Sequence, residues 1–212
     1  MIVMDKKFLS NNSTIKKRQV MQMCKNLKKL IQKTPEEILK ETNQYNSIPV
    51  NLDVILNKLG IVKIATSFES LEEVTEDGKY REISGLVLLN GDDIGIFYKQ
   101  TDSVHRKRFT IAHELAHCCL NGDAIANGYI EYRDSFFSKT DPIEIEANTF
   151  AGALLIPEHQ LKKILKRLVI PSLGGLADIF NVSVNVMRAR MRVLNIPFLD
   201  DSPPEESDLA NE

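Results

Sequence analysis

The chain contains no tryptophan and only three cysteines among its 212 residues. The small number of cysteines argues against a disulfide-rich secreted protein. The cysteines are Cys24 and the adjacent pair Cys118 and Cys119, a set that does not suit a disulfide framework. We therefore expect packed, free thiols and a reducing, cytoplasmic compartment. No apolar run approaches the ~20 residues that a membrane-spanning helix needs, and Asp5 follows the start of the chain too closely for a signal peptide.

Neither sign of charge dominates, because 27 Lys and Arg residues stand against 29 Asp and Glu residues, for a net charge of −2. This balance favours neither a nucleic-acid-binding nor a membrane-surface protein. The charge is nevertheless unevenly spread. A basic amphipathic helix is predicted from about Thr14 to Lys33, and residues 199–212, which include no basic residue, are expected to form a disordered acidic tail. The basic helix presents either a solvated lysine face or a docking arm for an acidic partner or nucleic acid.

The segment His113-Glu114-Leu115-Ala116-His117 is the most informative feature of the chain. Two histidines four positions apart on a helix lie about 40° apart around its axis, so both imidazoles can reach one metal ion. Glu114 lies on the flank of that face, where its carboxylate can accept a proton from an activated water without being a ligand. The pattern predicts a hydrolytic metal site with His113 and His117 as ligands and Glu114 as the general base.

The surroundings of this motif are typical of a helix. Residues 101–103 offer N-cap side chains, and Gly122 follows Asn121 where a C′ glycine is expected. A helical projection places an apolar face opposite the histidines, formed by Val104, Ile111, Leu115 and Cys118. We therefore predict a helix that is anchored in the core through that one face.

A catalytic zinc site needs a third protein ligand, because it keeps three side chains and leaves one position for water. A second helix is predicted after the N-cap Asp141, and Pro157 stops it. Glu144 shares a face with small or polar residues that allow another helix to approach, whereas Glu146 points roughly 160° away. We favour Glu144 as the ligand, with Glu146 as the alternative. Asn148, one turn beyond Glu144, is expected to accept a hydrogen bond from a ligand histidine.

Residues 108–117 and 144–157 together resemble the ImmA/IrrE family of zinc metallo-endopeptidases. The resemblance rests on two ordered motifs with their flanking residues and extends over roughly residues 47–196. It implies a zincin-like α+β fold and a gluzincin-type site. There, Zn²⁺ would be bound by His113, His117 and Glu144, with Glu114 as the general base. Asn148 stands where related peptidases often carry aspartate.

The resemblance also implies a partner. Such enzymes cleave or inactivate a helix-turn-helix transcriptional repressor in mobile-element or stress-response regulation, so we expect a protein substrate of that class. One rival hypothesis is a zinc-binding antirepressor that sequesters the repressor without needing Glu114. The other is a DNA-binding regulator that works through residues 173–195. This second rival is less favoured because the second helix there begins with Val184, where a recognition helix presents polar residues to base edges.

The expected organisation follows from these segments. Residues 1–46 form a basic helical extension, 47–170 the metallopeptidase domain, 171–198 a helical module that resembles a helix-turn-helix, and 199–212 the tail. The helical module and the basic extension are the two candidate docking surfaces for the repressor, and no membrane partner is expected.

A small antiparallel sheet is predicted to precede the metal helix. Its strands lie near residues 61–64, 84–89 and 94–98, and the last two are joined through a hairpin at Asn90-Gly91. An edge strand of such a sheet can pair with an extended substrate, and Gly95 fits an edge position. Residues 121–140 are predicted to form a long loop.

Overall fold

Helices precede, interrupt and follow the strands of a single sheet. The computed structural model describes residues 24–68, 83–126, 132–134, 141–167 and 172–198, with the backbone alone for 132–134. In chain order the elements are α1 (Lys25–Lys28), α2 (Pro35–Glu41), α3 (Leu52–Leu59), β1 (Ile61–Thr66), β2 (Ile83–Asn90), β3 (Asp93–Lys99), α4 (Val104–Leu120), α5 (Gly122–Ala126), β4 (Tyr132–Asp134), α6 (Pro142–Leu155), α7 (Glu158–Leu165), α8 (Leu173–Phe180) and α9 (Val184–Val193). The predicted α+β class is confirmed.

The sheet has the strand order β1-β3-β2-β4. β2 and β3 form the predicted hairpin, which closes at the pair Asn90 and Asp93, and β4 runs antiparallel to the other side of β2. The prediction of a wholly antiparallel sheet is wrong, because β1 pairs with β3 in parallel. Because β4 pairs with the outer edge of β2, the free edge of the hairpin is that of β3. β1 pairs with this edge and runs parallel to β3.

Gly95 does not lie at an edge of the sheet, as its position in the sequence suggested. It belongs to β3, which is paired on both sides, so the edges of the described sheet are β1 and β4. A Cβ atom on Gly95 would lie 3.1 Å from the ring of Phe97. The glycine therefore makes room for a neighbouring side chain within the sheet.

Local capping signals explain several of the helix ends. Thr34 and Glu37 form a capping box at the start of α2. Asn51 accepts hydrogen bonds from the first turn of α3, and Gly60 ends that helix in the left-handed conformation with φ 71°. Asp141 caps α6 in the same way, directly before Pro142. The start of α6 after Asp141, which the sequence predicted, is confirmed.

The predicted helix over 14–33 is wrong in the part that the structure describes. Cys24 is the N-cap of α1, and its sulfur accepts a hydrogen bond from the Leu27 N–H. Gln32 then adopts φ 63°, and its N–H donates to the Cys119 carbonyl at 2.8 Å. Tertiary contacts with the end of α4 thus replace helical hydrogen bonds. Residues 14–23 of the predicted helix lie outside the described residues.

Helix α4 is buried on more sides than the projection indicated. It starts after the N-cap Ser103, and every residue from Thr110 to Cys119 is buried. Val104, expected on the core face, is instead 64% exposed. The reason is that α4 packs against the sheet and against α6, so both of its sides meet protein. Cys118 and Cys119 are buried free thiols, as expected from the sequence.

Gly122 lies at the predicted C′ position of α4, but it does not adopt the left-handed conformation that is common for a C′ glycine. Asn121 is the C-cap, and Gly122 begins the short helix α5. A Cβ atom on Gly122 would lie 2.6 Å from Cγ1 of Ile31, so the glycine admits the N-terminal segment to the core. The segment 121–140, predicted to be a long loop, contains α5 and β4.

The C-terminal helices pack into the same core. α8 and α9 form the predicted pair around Asn181, whose φ is 53°, and Ser183 is the N-cap of α9. α9 rests on α6, where the buried Arg190 donates from Nε to the Ile156 carbonyl at 3.1 Å. One hydrophobic cluster extends from Cys24 to Met191. Within the described ranges, every helix is too short or too polar to cross a membrane.

Candidate metal centre

The three predicted ligand side chains meet between the middle of α4 and the first turn of α6. The Nε2 atoms of His113 and His117 lie 2.9 Å apart. The carboxylate of Glu144 lies 3.3 Å from each of these nitrogens, through Oε2 to His113 and through Oε1 to His117. The side chains of His113 and His117 are 0% and 2% exposed. The side chain of Glu144 is 18% exposed, so the carboxylate lies on the more open side of the cluster.

The outer nitrogens of both imidazoles are hydrogen-bonded, and this determines the state of the inner ones. His113 Nδ1 lies 3.0 Å from Asn148 Oδ1, and His117 Nδ1 lies 3.2 Å from Asn121 Oδ1. An amide oxygen can only accept, so both Nδ1 atoms carry the proton and both Nε2 atoms present lone pairs. Together with Glu144, three electron-pair donors point at one place. Such an arrangement is repulsive unless a cation lies between them.

The spacing of the donors suits tetrahedral zinc. Bonds of about 2.0–2.1 Å at tetrahedral angles place the ligand atoms about 3.3–3.4 Å from one another. The two histidine–glutamate separations of 3.3 Å agree with this value, and the histidine–histidine separation of 2.9 Å is somewhat shorter. Two imidazoles and a carboxylate are also a donor set that catalytic zinc sites use. The residues present therefore fit the metal that the sequence predicted.

Glu144 is the carboxylate of this cluster, and Glu146 takes no part in it. Burial alone raises the pKa of Glu144. In the metal-free site, however, protons on Nε2 of His113 and His117 supply hydrogen bonds and positive charge that outweigh burial and hold this pKa well below its usual range. The carboxylate is thus ionised at neutral pH, which is the form that binds a metal. Glu146 is exposed on another side of α6.

Glu114 is buried where α4 meets β2. Glu114 is only 1% exposed. A Cβ atom added to Gly85 of β2 would lie 2.6 Å from Glu114 Oε1. Close packing restricts the carboxylate to one region, directly after the first histidine of the cluster. A general base needs such a defined position relative to the proton that it accepts.

Two residues of this site were missed in the sequence. Asn121 carries a signal that could have revealed it, because it follows His117 by four positions, and such residues are neighbours on a helix surface. Gly85 carries no such signal, since its contact with Glu114 depends on which strand lies against α4. Asn148, by contrast, lies beside His113 as the helical spacing indicated.

Comparison with known families agrees with this geometry. No curated protein matches the chain. Residues 60–192 match the family model of peptidase M78, described as the IrrE N-terminal-like domain. The matched region is more than half of the chain and includes α4 and α6, with both histidines and Glu144. The chain therefore belongs to the peptidase M78 family of metallopeptidases.

Proposed function

We propose that this protein is a zinc-dependent endopeptidase of the gluzincin type. The observation that carries the proposal is the convergence of two imidazole lone pairs and one carboxylate beside a buried glutamate. Among the described residues, the metal-ligating group comprises His113, His117 and Glu144 and no fourth side chain. Structural zinc sites are usually closed by four protein ligands, whereas catalytic sites keep three and leave one position open.

The chemistry divides between the metal and the side chains. Zinc bound by the three ligands would supply Lewis-acid activation of water and of a peptide carbonyl. Glu114 accepts the proton of the attacking water and then delivers it to the leaving amine. Asn148 and Asn121 keep Nδ1 of each ligand histidine protonated, so that each Nε2 remains a donor to the metal.

The proposed substrate is a helix-turn-helix transcriptional repressor that is cut in the cytoplasm within a linker or another locally unfolded segment. The resemblance to the ImmA/IrrE family supports this class of partner, and the free cysteines at 24, 118 and 119 are in keeping with a reducing compartment. An extended segment pairs with a sheet through its backbone, and a stably folded helix cannot do so. Cleavage should therefore fall where opening the partner costs little free energy.

The test is to replace Glu114 by Gln, with Glu146→Gln as the matched control on an exposed glutamate. Each protein is loaded with zinc and incubated with candidate repressors, and the products are identified by mass spectrometry. We expect Glu114→Gln to retain zinc and to keep at most a small residual rate of cleavage, while Glu146→Gln cleaves as the unmodified protein does. A Glu114→Gln variant that cuts at the rate of the unmodified protein would refute the mechanism. Repressor inactivation without any cleavage by the unmodified protein would instead favour sequestration.

The ligand set needs a separate test, because loss of cleavage alone does not identify a ligand. Glu144→Ala should lower the zinc content sharply, since it removes the anionic donor of the cluster. Glu146→Ala should leave the zinc content unchanged, because that side chain is exposed elsewhere on α6. Metal analysis of both purified variants decides between them, and the opposite result would make Glu146 the ligand.

A further inference from the structure

We propose that Gly85 is a positioning residue, which sets the location of the Glu114 carboxylate by allowing β2 to lie directly against it. This inference rests on the proposed function, in which Glu114 is the general base. It concerns the strand that faces the base, a part of the site that contains none of the metal ligands. The structure supports it through contact distances, backbone conformation and the packing between α4 and β2.

The contact is closer than any side chain permits. A Cβ atom on Gly85 would lie 2.6 Å from Oε1 and 3.2 Å from Cδ of Glu114. It would also lie 2.5 Å from Cγ2 of Thr110, which is one helical turn before Glu114. Separations below 3.0 Å require something to move. The atoms that would have to move are the carboxylate itself and a methyl group of a residue that is fully buried.

Space, and not backbone conformation, requires the glycine. Gly60 and Gly91 are the glycines with positive φ in the described part of the chain, and Gly85 is not among them. Any residue could therefore adopt its backbone conformation. Gly85 is paired within β2 to Tyr98 of β3 and to Arg133 of β4, so the strand has neighbours on both sides that fix its place.

Helix α4 is fastened to β2 next to this contact. Arg106 donates from its Nη2 to Ser84 Oγ at 2.9 Å, and Arg106 is in turn paired with Asp102 at 3.2 Å. Arg106, Thr110 and Glu114 follow one another at intervals of four along α4, so they share the side that faces β2. A methyl group at position 85 would therefore contact a helix that is held to β2 by the hydrogen bond to the adjacent Ser84. The Glu114 carboxylate, which is the far end of a side chain with rotatable bonds, is then what gives way.

The test is Gly85→Ala, with Gly174→Ala as the control, because a Cβ atom at Gly174 would meet nothing within 4 Å. Displacing a catalytic group by about 1 Å lowers rates by about 100-fold. We expect kcat of Gly85→Ala to fall by about that factor, with KM and zinc content near those of the unmodified protein. Both variants are assayed on a short peptide substrate that does not need the candidate docking surface at 171–198, and on this substrate Gly174→Ala should keep the kcat of the unmodified protein. An unchanged kcat in Gly85→Ala would overturn the inference.

A double variant separates positioning from a general loss of structure. In the Glu114→Gln background the base is already absent, so adding Gly85→Ala should lower the residual rate by less than twofold. An equal fall in both backgrounds would show that Gly85 acts through the fold and would overturn the inference. The proposed function fails by a different result, namely full activity of Glu114→Gln alone.

A stability measurement supplies a readout that needs no substrate. Gly85→Ala should lower Tm, and Thr110→Ser should restore part of the loss by removing the methyl group at 2.5 Å. Glu114→Ala should restore a further part, because it removes the carboxylate that the added methyl meets. If neither second change raises the Tm of Gly85→Ala, these contacts do not oppose a side chain at position 85, and the inference is wrong. If Gly85→Ala alone does not fold, these double variants provide folded proteins in which the same contacts can be measured.

Discussion

Asn148→Ala should weaken zinc binding without disturbing the fold. Asn148 Oδ1 accepts the hydrogen bond from His113 Nδ1 at 3.0 Å, and the imidazole is fully buried. Without that acceptor the buried N–H loses its partner, which costs about 1–3 kcal/mol, and the protonation of the ring is no longer fixed. Loss of such an outer partner typically lowers metal affinity by 10- to 100-fold, or about 1.4–2.7 kcal/mol. The two estimates agree, so we expect a change of that size.

The assay is competition for zinc with a chromophoric chelator of known affinity. Thr149→Ala is the control, because Thr149 is exposed and its hydroxyl donates to the Ile145 carbonyl within the same helix. Asn148→Asp should bind zinc at least as tightly as the unmodified protein, since a carboxylate is the stronger acceptor. If Asn148→Ala binds zinc as tightly as Thr149→Ala does, the hydrogen bond does not orient the ligand, and the reasoning fails.

Three further predictions concern stability. The pKa of Cys119 is raised by burial to about 12 from 9.0, so the stabilising effect of the neutral thiol is complete below pH 9 and is lost as the pH rises towards 12. In Cys119→Ala the unfolding free energy should decline less steeply over that pH range, by up to about 1.4 kcal/mol per pH unit. Urea denaturation at several pH values measures this, and an unchanged dependence of the unfolding free energy on pH would contradict it. Gly122→Ala should destabilise by about 1–3 kcal/mol through its contact with Ile31, whereas Gly174→Ala should not destabilise, as chemical denaturation would show. Removing zinc with a chelator should lower Tm, with about 2.7 kcal/mol lost relative to zinc at 100 times its Kd, and Glu144→Ala should be insensitive to the chelator.

Elements whose ends depend on neighbouring residues in the sequence were predicted correctly. The Ser103 cap of α4 and the Asp141 cap of α6 are each satisfied within the first turn of their own helix. The four-residue spacing likewise places His113 and His117 on one face of α4. Helical geometry also explains why Glu144 and not Glu146 lies beside these histidines, because residues two positions apart on a helix point to nearly opposite sides. For these features local chemistry is sufficient.

Predictions failed where a distant segment decides the outcome. The helix expected to continue to Lys33 is interrupted because Gln32 bonds to Cys119, 87 positions along the chain. Gly122 occupies the predicted C′ position, but its lack of a side chain also makes room for Ile31, which the sequence did not indicate. β1 pairs in parallel with β3, while β4 pairs with the other strand of the hairpin. No local pattern contains these contacts, so the sequence alone could not indicate them.

The candidate site also combines residues that lie close together on one helix with residues from distant segments. Helix α4 places the polar residues Thr110, His113, Glu114 and His117 in the core, where every polar group needs a partner. The partners come from two helices: Asn148 and Glu144 from α6, together with the metal that Glu144 would help to bind, and Asn121 from the end of α4. The strand that faces Glu114 then has to carry a residue without a side chain. The proposed metal site and the packing of the core therefore depend on the same residues, and we expect a substitution at Gly85, Asn121 or Asn148 to affect the site although none of them is a proposed ligand.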